Sequence, residues 1–234
     1  LGVTELTNSE HALIFSSGDM ALGGTLDSEG RATGQANKLL NRSATIEALG
    51  SLQLSATSVE NRNLHFTTEI VEVAREAHQE WQLTGSPNRY SAPDAHEDHG
   101  AADGLLQAIT PEGTSDDYNR YTYTRETTET REKDSDPAHI LAESTQHNHA
   151  GTELNDRSRI VAGGVLDGPI GSLQNVEVAG ERVAKETGVV ERLVRIRHGG
   201  PDEQGLLSSP YDPAPETESI TLRPSVYREH TAPS

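Results

Sequence analysis

The feature that most constrains this chain is a recurring triplet, an apolar residue, any residue, then asparagine, followed by a short β-branched or aliphatic run into glycine. It stands at Leu6-x-Asn8, Leu39-x-Asn41, Val59-x-Asn61 and Leu173-x-Asn175, with a degenerate copy at Glu153-x-Asn155. Asn41 to Asn61 is 20 residues, and so is Asn155 to Asn175. The runs that follow align as well: Leu13-Ile14-Phe15-Ser16-Ser17-Gly18, Ile46-Glu47-Ala48-Leu49-Gly50 and Ile160-Val161-Ala162-Gly163-Gly164. After each glycine the pattern alternates again, as in Met20-Ala21-Leu22, Leu52-Gln53-Leu54 and Leu166-Asp167.

A period near 20 with short strands and no helix between them suits one coil of a parallel β-helix. About 20 residues at roughly 3.3 Å each trace one closed turn of chain, and neighbouring strands stack roughly 4.8 Å apart. An asparagine at the same bend of every coil would hydrogen-bond its amide to the copies above and below, satisfying bend backbone that burial removes from water. Asn8, Asn41, Asn61, Asn155 and Asn175 are therefore read as a structural ladder, and Ile46, Leu52, Leu54, Ile160 and Leu166 as inward-facing core. Composition fits a thin core: 32% of residues are apolar and 4% aromatic, too few for a thick globular interior. Full disorder is the competing reading of the same figures.

The repeat defines the expected segments. Residues 1–63 and 140–177 are read as β-helix coils, 64–139 as an extra-helical hairpin with an acidic loop from Ser91 to Asp117, and 178–234 as a second excursion with a C-terminal strand. From Tyr121 to Thr130 the alternation predicts a strand polar on both faces and lying outside the core. Residues 64–82 carry both helical and strand spacing, and strand is favoured from the resemblance described below. The run Glu191 to His198 alternates Arg192, Arg195 and Arg197 with apolar residues and reads as a strand.

The net charge of −18 argues against nucleic acid and anionic lipid, since both modes release counterions from clustered Lys and Arg. No cysteine is present, so no disulfide, thiol nucleophile or cysteine zinc site can form. No window holds the roughly 18 apolar residues of a membrane span, and membrane insertion is not expected. The opening Leu-Gly-Val-Thr-Glu has no signal-like region, so an export signal would lie outside this sequence.

Ten histidines invite a metal or haem reading, above all around His96 and His99 and at His147 and His149. Neither group has the spacing of a helical zinc motif, and Pro93 and Gly100 flank the first pair as loop signals. No metal or cofactor site is assigned, and haem or metal capture is kept as an alternative. Parallel β-helices also include polysaccharide lyases, whose sites set acids beside a basic proton acceptor on adjacent coils. The outward repeat positions here read Ser, Thr, Gln and Glu without a recurring Asp and Arg or Lys cluster, so no catalytic residue is assigned and the chain is expected not to be an enzyme.

The stretches Gly18 to Gly24, Gly30 to Gly34, Asn41 to Ala48 and Asn155 to Gly164 resemble haemagglutinin repeats of the filamentous haemagglutinin and contact-dependent inhibition exoproteins. Gly85-Ser86-Pro87-Asn88-Arg89-Tyr90 and Ser135-Asp136-Pro137 are similar to linking motifs of that family. The resemblance covers nearly the whole chain. Glu143 and Ser144 depart from it where glycine is usual, and Gln146-His147-Asn148-His149 stands in place of an apolar strand. It implies an all-β, right-handed parallel β-helix with hairpin excursions, exported through an outer-membrane two-partner-secretion transporter and displayed on a Gram-negative cell. The expected function is a non-enzymatic stalk or binding segment that meets a receptor on a target cell, with a passive spacer as the alternative.

Overall fold

The computed structural model describes residues 1–100 and 103–222; residues 223–234 of the last expected segment lie outside the described residues. The fold is all-β, with no helix among the described residues, and its sheets are both parallel and antiparallel. The chain forms two units. The first comprises Leu1–Glu69, Arg131–Gly180 and the stretch from Thr221; the second comprises Ile70–Thr130 and Glu181–Ile220.

The first unit is built from three parallel ladders. In one, Glu5–Ser9, Ala36–Arg42, the second half of Leu52–Arg62, the second half of Gln146–Asp156, and Ile170–Val176 lie side by side in that order. In the next, Leu13–Ser16, Thr45–Ala48, His139–Ala142 and Arg159–Ala162 do the same. Met20–Leu22, the start of Leu52–Arg62, the start of Gln146–Asp156, and Leu166–Asp167 form the third. The level that starts after Leu54 is interrupted between Arg62 and His139, and the second unit's first segment lies within that interval.

Registers place like on like. Asn8, Asn41, Asn61, Asn155 and Asn175 are opposite one another from strand to strand, and Ile14, Ile46, Ile140 and Ile160 make an isoleucine column. Each asparagine Nδ2 donates to the Oδ1 of the next at 2.7–2.9 Å, from Asn8 through to Asn175. The same nitrogens donate to bend carbonyls, for example Asn41 to Ala44 and His139 and Asn61 to Arg159. Two residues after the ladder position, Glu10, Ser43 and Arg157 hold a left-handed backbone with φ of 54°, 46° and 50°. Non-glycine residues resist that conformation, so the carbonyl contacts of the ladder offset a recurring local cost.

Glycine is required where neighbouring strands crowd. A Cβ on Gly151 would lie 2.7 Å from the Thr57 carbonyl oxygen, and one on Gly171 would lie 2.6 Å from that of Gly151. These glycines are themselves 20 residues apart. Any side chain there would force adjacent levels apart.

The core of the first unit collects Leu22, Leu39, Ile46, Leu52, Leu54, Val59 and Ile140, with small alanines between them. Ile160 packs against this cluster but is only half-buried. Leu166 corrects the expected inward set: it is 51% exposed. Its strand is the outermost of its ladder among the described residues, paired on one side with Gln146 and uncovered on the other, and Leu173 is 62% exposed for the same reason.

The departures at 146–149 have a structural counterpart. Gln146 and Asn148 are fully buried in the positions that Leu52 and Leu54 occupy one level away, and Glu153 stands in the column of Leu39 and Val59. Gln146 Nε2 donates to Asn148 Oδ1, Asn148 Nδ2 donates to both Glu153 oxygens, and Gln146 Oε1 is buried with no partner. Burial raises the Glu153 carboxyl above the usual range, opposed by the Asn148 amide. A raised acid favours folding in its protonated form, so its contribution is present at low pH and declines as pH rises from the ordinary glutamate value through the raised one. Asp156 works in the opposite sense, held low by Arg157. Glu153→Gln is therefore expected to raise the melting temperature of the first unit at neutral pH and to leave it unchanged in acid. Thermal melts followed by circular dichroism across pH check this; an equal shift at both ends would rule it out.

The second unit is antiparallel wherever its register is defined. Its main sheet runs Tyr90–Ser91, Thr67–Leu83, Tyr118–Asp134, Ala179–Ile196 and Glu203–Tyr211, with Glu216–Thr221 also against Ala179–Ile196. The Thr67–Leu83 segment is a strand, and the run from Glu191 lies in a strand that ends at Ile196. The stretch Ser91 to Asp117 is more than a loop: His96–His99, Leu106–Thr110 and Gly113–Ser115 make a small antiparallel sheet. The strand expected to be polar on both faces is corrected too. Tyr118, Tyr121 and Tyr123 are buried: Tyr118 packs in a second core with Trp81 and Leu193, and Tyr121 and Tyr123 lie against Tyr211, with Arg89 over Tyr121 and His78 stacked on Tyr123.

Candidate binding site

Five of the six tyrosines, Tyr90, Tyr118, Tyr121, Tyr123 and Tyr211, fall in the second unit, where the only tryptophan also lies. Aromatic side chains are the largest sources of contact area, so their concentration in one unit marks it as the part built to bury or to bind.

One set is structural. Glu97, from the His-rich stretch, accepts from Trp81 Nε1 at 3.0 Å, from the Tyr118 hydroxyl at 2.8 Å and from Arg120 at 2.8 Å. Arg120 also reaches Glu191 at 2.7 Å. Burial, then the Glu97 carboxylate, pushes the Tyr118 hydroxyl well above its ordinary value, so it stays protonated and donates. The neighbouring His96 and His99 are exposed, and among the described residues no group of three or more His, Asp or Glu is placed to hold a metal ion.

The other set surrounds a cavity of about 390 Å³. Tyr121, Tyr123 and Arg125 are alternate residues and so share one face of their strand. Across it, Tyr123 is opposite Gly188, which is opposite Tyr211. The glycine is needed there: a Cβ on it would lie 2.7 Å from that of Tyr123. With that space open, the Tyr123 and Tyr211 ring centroids stand 5.1 Å apart, and His78 stacks on Tyr123 at 5.1 Å. Arg89 lies 3.8 Å from the centre of the Tyr121 ring, a cation–π contact, and donates to the Tyr211 hydroxyl at 2.8 Å.

The polar groups form a continuous chain around this cavity. The Tyr211 hydroxyl donates to Glu186 at 2.8 Å, Glu186 accepts from Arg125 at 3.2 Å, and Arg125 reaches Glu216 at 2.7 Å. Glu80 completes the acidic side, 3.8 Å from Arg89. Burial raises the hydroxyls of Tyr123 and Tyr211 above the ordinary tyrosine value, so both are neutral at physiological pH. Such a site sets fixed donors and acceptors beside aromatic rings, an arrangement that can hold a small polar ligand.

None of the ladder or core residues read from the sequence contributes to this cavity. Arg89 falls in the linking motif, but Glu186 and Tyr211 carried no signal: they reach it only through pairing across more than 60 positions of sequence. Comparisons with protein-family models, with curated proteins and with solved structures found no match to this chain.

Proposed function

We propose that this chain is a non-enzymatic, β-helical segment of a surface exoprotein of the filamentous haemagglutinin and contact-dependent inhibition type, serving contact with a target cell. The supporting observation is the asparagine ladder, continuous through five parallel strands. In this reading the first unit is a right-handed parallel β-helix of about 20 residues per coil, a repeat that stiffens by stacking on itself. The second unit interrupts the repeat and supplies the contact surface, as insertions on rigid scaffolds commonly do. Export runs through an outer-membrane two-partner-secretion transporter, and display is on the outer surface of a Gram-negative cell. The absence of cysteine is compatible with that route, because no disulfide can trap the chain in the periplasm.

The purified, labelled chain is expected to bind intact target cells saturably and to be displaced by excess unlabelled chain. Binding that rises linearly with concentration and resists competition would sink the adhesive reading in favour of a passive spacer.

A further inference from the structure

The asparagine ladder of the first unit has a direction. At every step the Nδ2 of one asparagine donates to the Oδ1 of the next, from Asn8 through Asn41, Asn61 and Asn155 to Asn175. Its two ends are therefore different. Asn8 commits its Nδ2 to Asn41 and to the carbonyls of Ala12 and Thr45, and among the described residues nothing donates to its Oδ1, although the side chain is buried. A buried acceptor without a donor carries a desolvation cost that a partner would remove. Asn175 is the converse: its Oδ1 accepts from Asn155, and among the described residues nothing accepts from its Nδ2. The strands that carry them repeat this complementarity. Glu5–Ser9 pairs with Ala36–Arg42 and Ile170–Val176 pairs with Gln146–Asp156, so among the described residues each leaves one backbone edge open, at opposite ends of one parallel ladder.

We infer that these two edges form an interface between copies of the chain stacked head to tail: Ile170–Val176 of one copy pairs in parallel with Glu5–Ser9 of the next, and Asn175 Nδ2 donates to Asn8 Oδ1 across the joint. This goes beyond the cell-contact reading and does not depend on it. Setting Asn8 on Asn175 fixes the rest of the register. Leu6 then covers Leu173, the exposed end of the column that runs through Leu39, Val59 and Glu153. Glu5 falls on Ser172, Thr7 on Gln174 and Ser9 on Val176, so no charge meets a like charge along the paired strands. Two copies joined edge to like edge about a two-fold axis would instead bring two donors or two acceptors to the joint and leave the ladder broken. Each head-to-tail joint leaves an Asn8 edge open on one outer copy and an Asn175 edge open on the other, so the assembly can keep adding copies. The net charge of −18 on each copy opposes their approach. Association is therefore expected to strengthen as salt screens that repulsion, contrary to a contact held by ion pairs.

The test is sedimentation velocity of the whole chain across a concentration series at low and high salt. Species of increasing size are expected as concentration rises, and more of them at high salt. Asn175→Asp keeps the acceptor for Asn155 but sets a carboxylate against Asn8 Oδ1, and Leu173→Glu charges the exposed apolar edge. Each is expected to weaken association by about tenfold or more, with circular dichroism and melting temperature of the dilute chain unchanged, since both side chains are exposed. Leu6→Glu blocks the other end. Leu173→Glu and Leu6→Glu chains, each monomeric alone, are expected on mixing to form a dimer that grows no further, because one retains the Asn8 edge and the other the Asn175 edge. Should Leu6→Glu disturb the fold, Asn175→Asp and Leu173→Glu decide the matter. A parent chain that stays monomeric at every concentration, larger species undiminished in Asn175→Asp and Leu173→Glu, or folded blocked chains that form no mixed dimer would each overturn the inference.

Discussion

Asn61→Ala is expected to cost the first unit about 3 kcal/mol or more, since each buried polar group left unpaired costs roughly 1–3 kcal/mol. Asn61 is fully buried at the centre of the ladder. Its amide accepts from Asn41 and donates to Asn155 and to the carbonyls of Ala138 and Arg159. Alanine would strip the donor from three acceptors at once and leave a void. Asn175 has the same residue type in the same column but is exposed and ends the chain of donors. Asn175→Ala is expected to cost under about 1 kcal/mol, as exposed substitutions usually do. The only tryptophan lies in the second unit, so its fluorescence does not follow the ladder. Hydrogen exchange at residues 36–62 and 139–162 does, and similar exchange in the two variants would refute a cooperative ladder.

A larger loss is expected from Ile46→Asp. Ile46 is 2% exposed and stands between Ile14 and Ile140 in the apolar column. A carboxylate there has no cation beside it, and burying one without a partner costs several kcal/mol, about 5 or more, which rivals the whole stability of an ordinary domain. The first unit should lose its protected amides at ambient temperature. Ile46→Val, which removes one methylene, is expected to cost only about 1 kcal/mol. Ile160→Asp should fall between them, because Ile160 is half-buried and its carboxylate can turn toward water. A melting curve for Ile46→Asp that overlays the parent's would remove that column from the core.

The parallel strands were legible because their information is local and repeated. The 20-residue spacing of Asn41 and Asn61 is printed in the chain, and the register of Ala36–Arg42 on Leu52–Arg62 sets those residues opposite each other. The alternation at Leu52-Gln53-Leu54 likewise tells which side chains turn inward. Leu166 shows the limit of that argument. It has the pattern of an inward residue, yet alternation says only which face a side chain is on and nothing about whether another strand covers that face.

The second unit was far less legible. The strand from Tyr118 alternates tyrosine, threonine, arginine and glutamate, and sequence alone makes both faces polar. Its tyrosines are buried by residues far away, and a tyrosine can serve an interior or a surface equally well once its hydroxyl finds a partner. Glu97 reads as one more acid in an acidic loop, and only the convergence of Trp81, Tyr118 and Arg120 makes it the centre of a network.

The sequence by itself therefore determined the β-character and the repeat, since the same short-range pattern recurs and Asn41 and Asn61, like Asn155 and Asn175, stand one 20-residue period apart; the steps from Asn8 to Asn41 and from Asn61 to Asn155 follow no such period. The tertiary structure decided which level is uncovered, where polar residues enter the core, and that Arg89, Tyr123, Glu186 and Tyr211 share one cavity. Those outcomes depend on pairings between strands with no common period, and without a period no local pattern in the chain can specify which strand meets which.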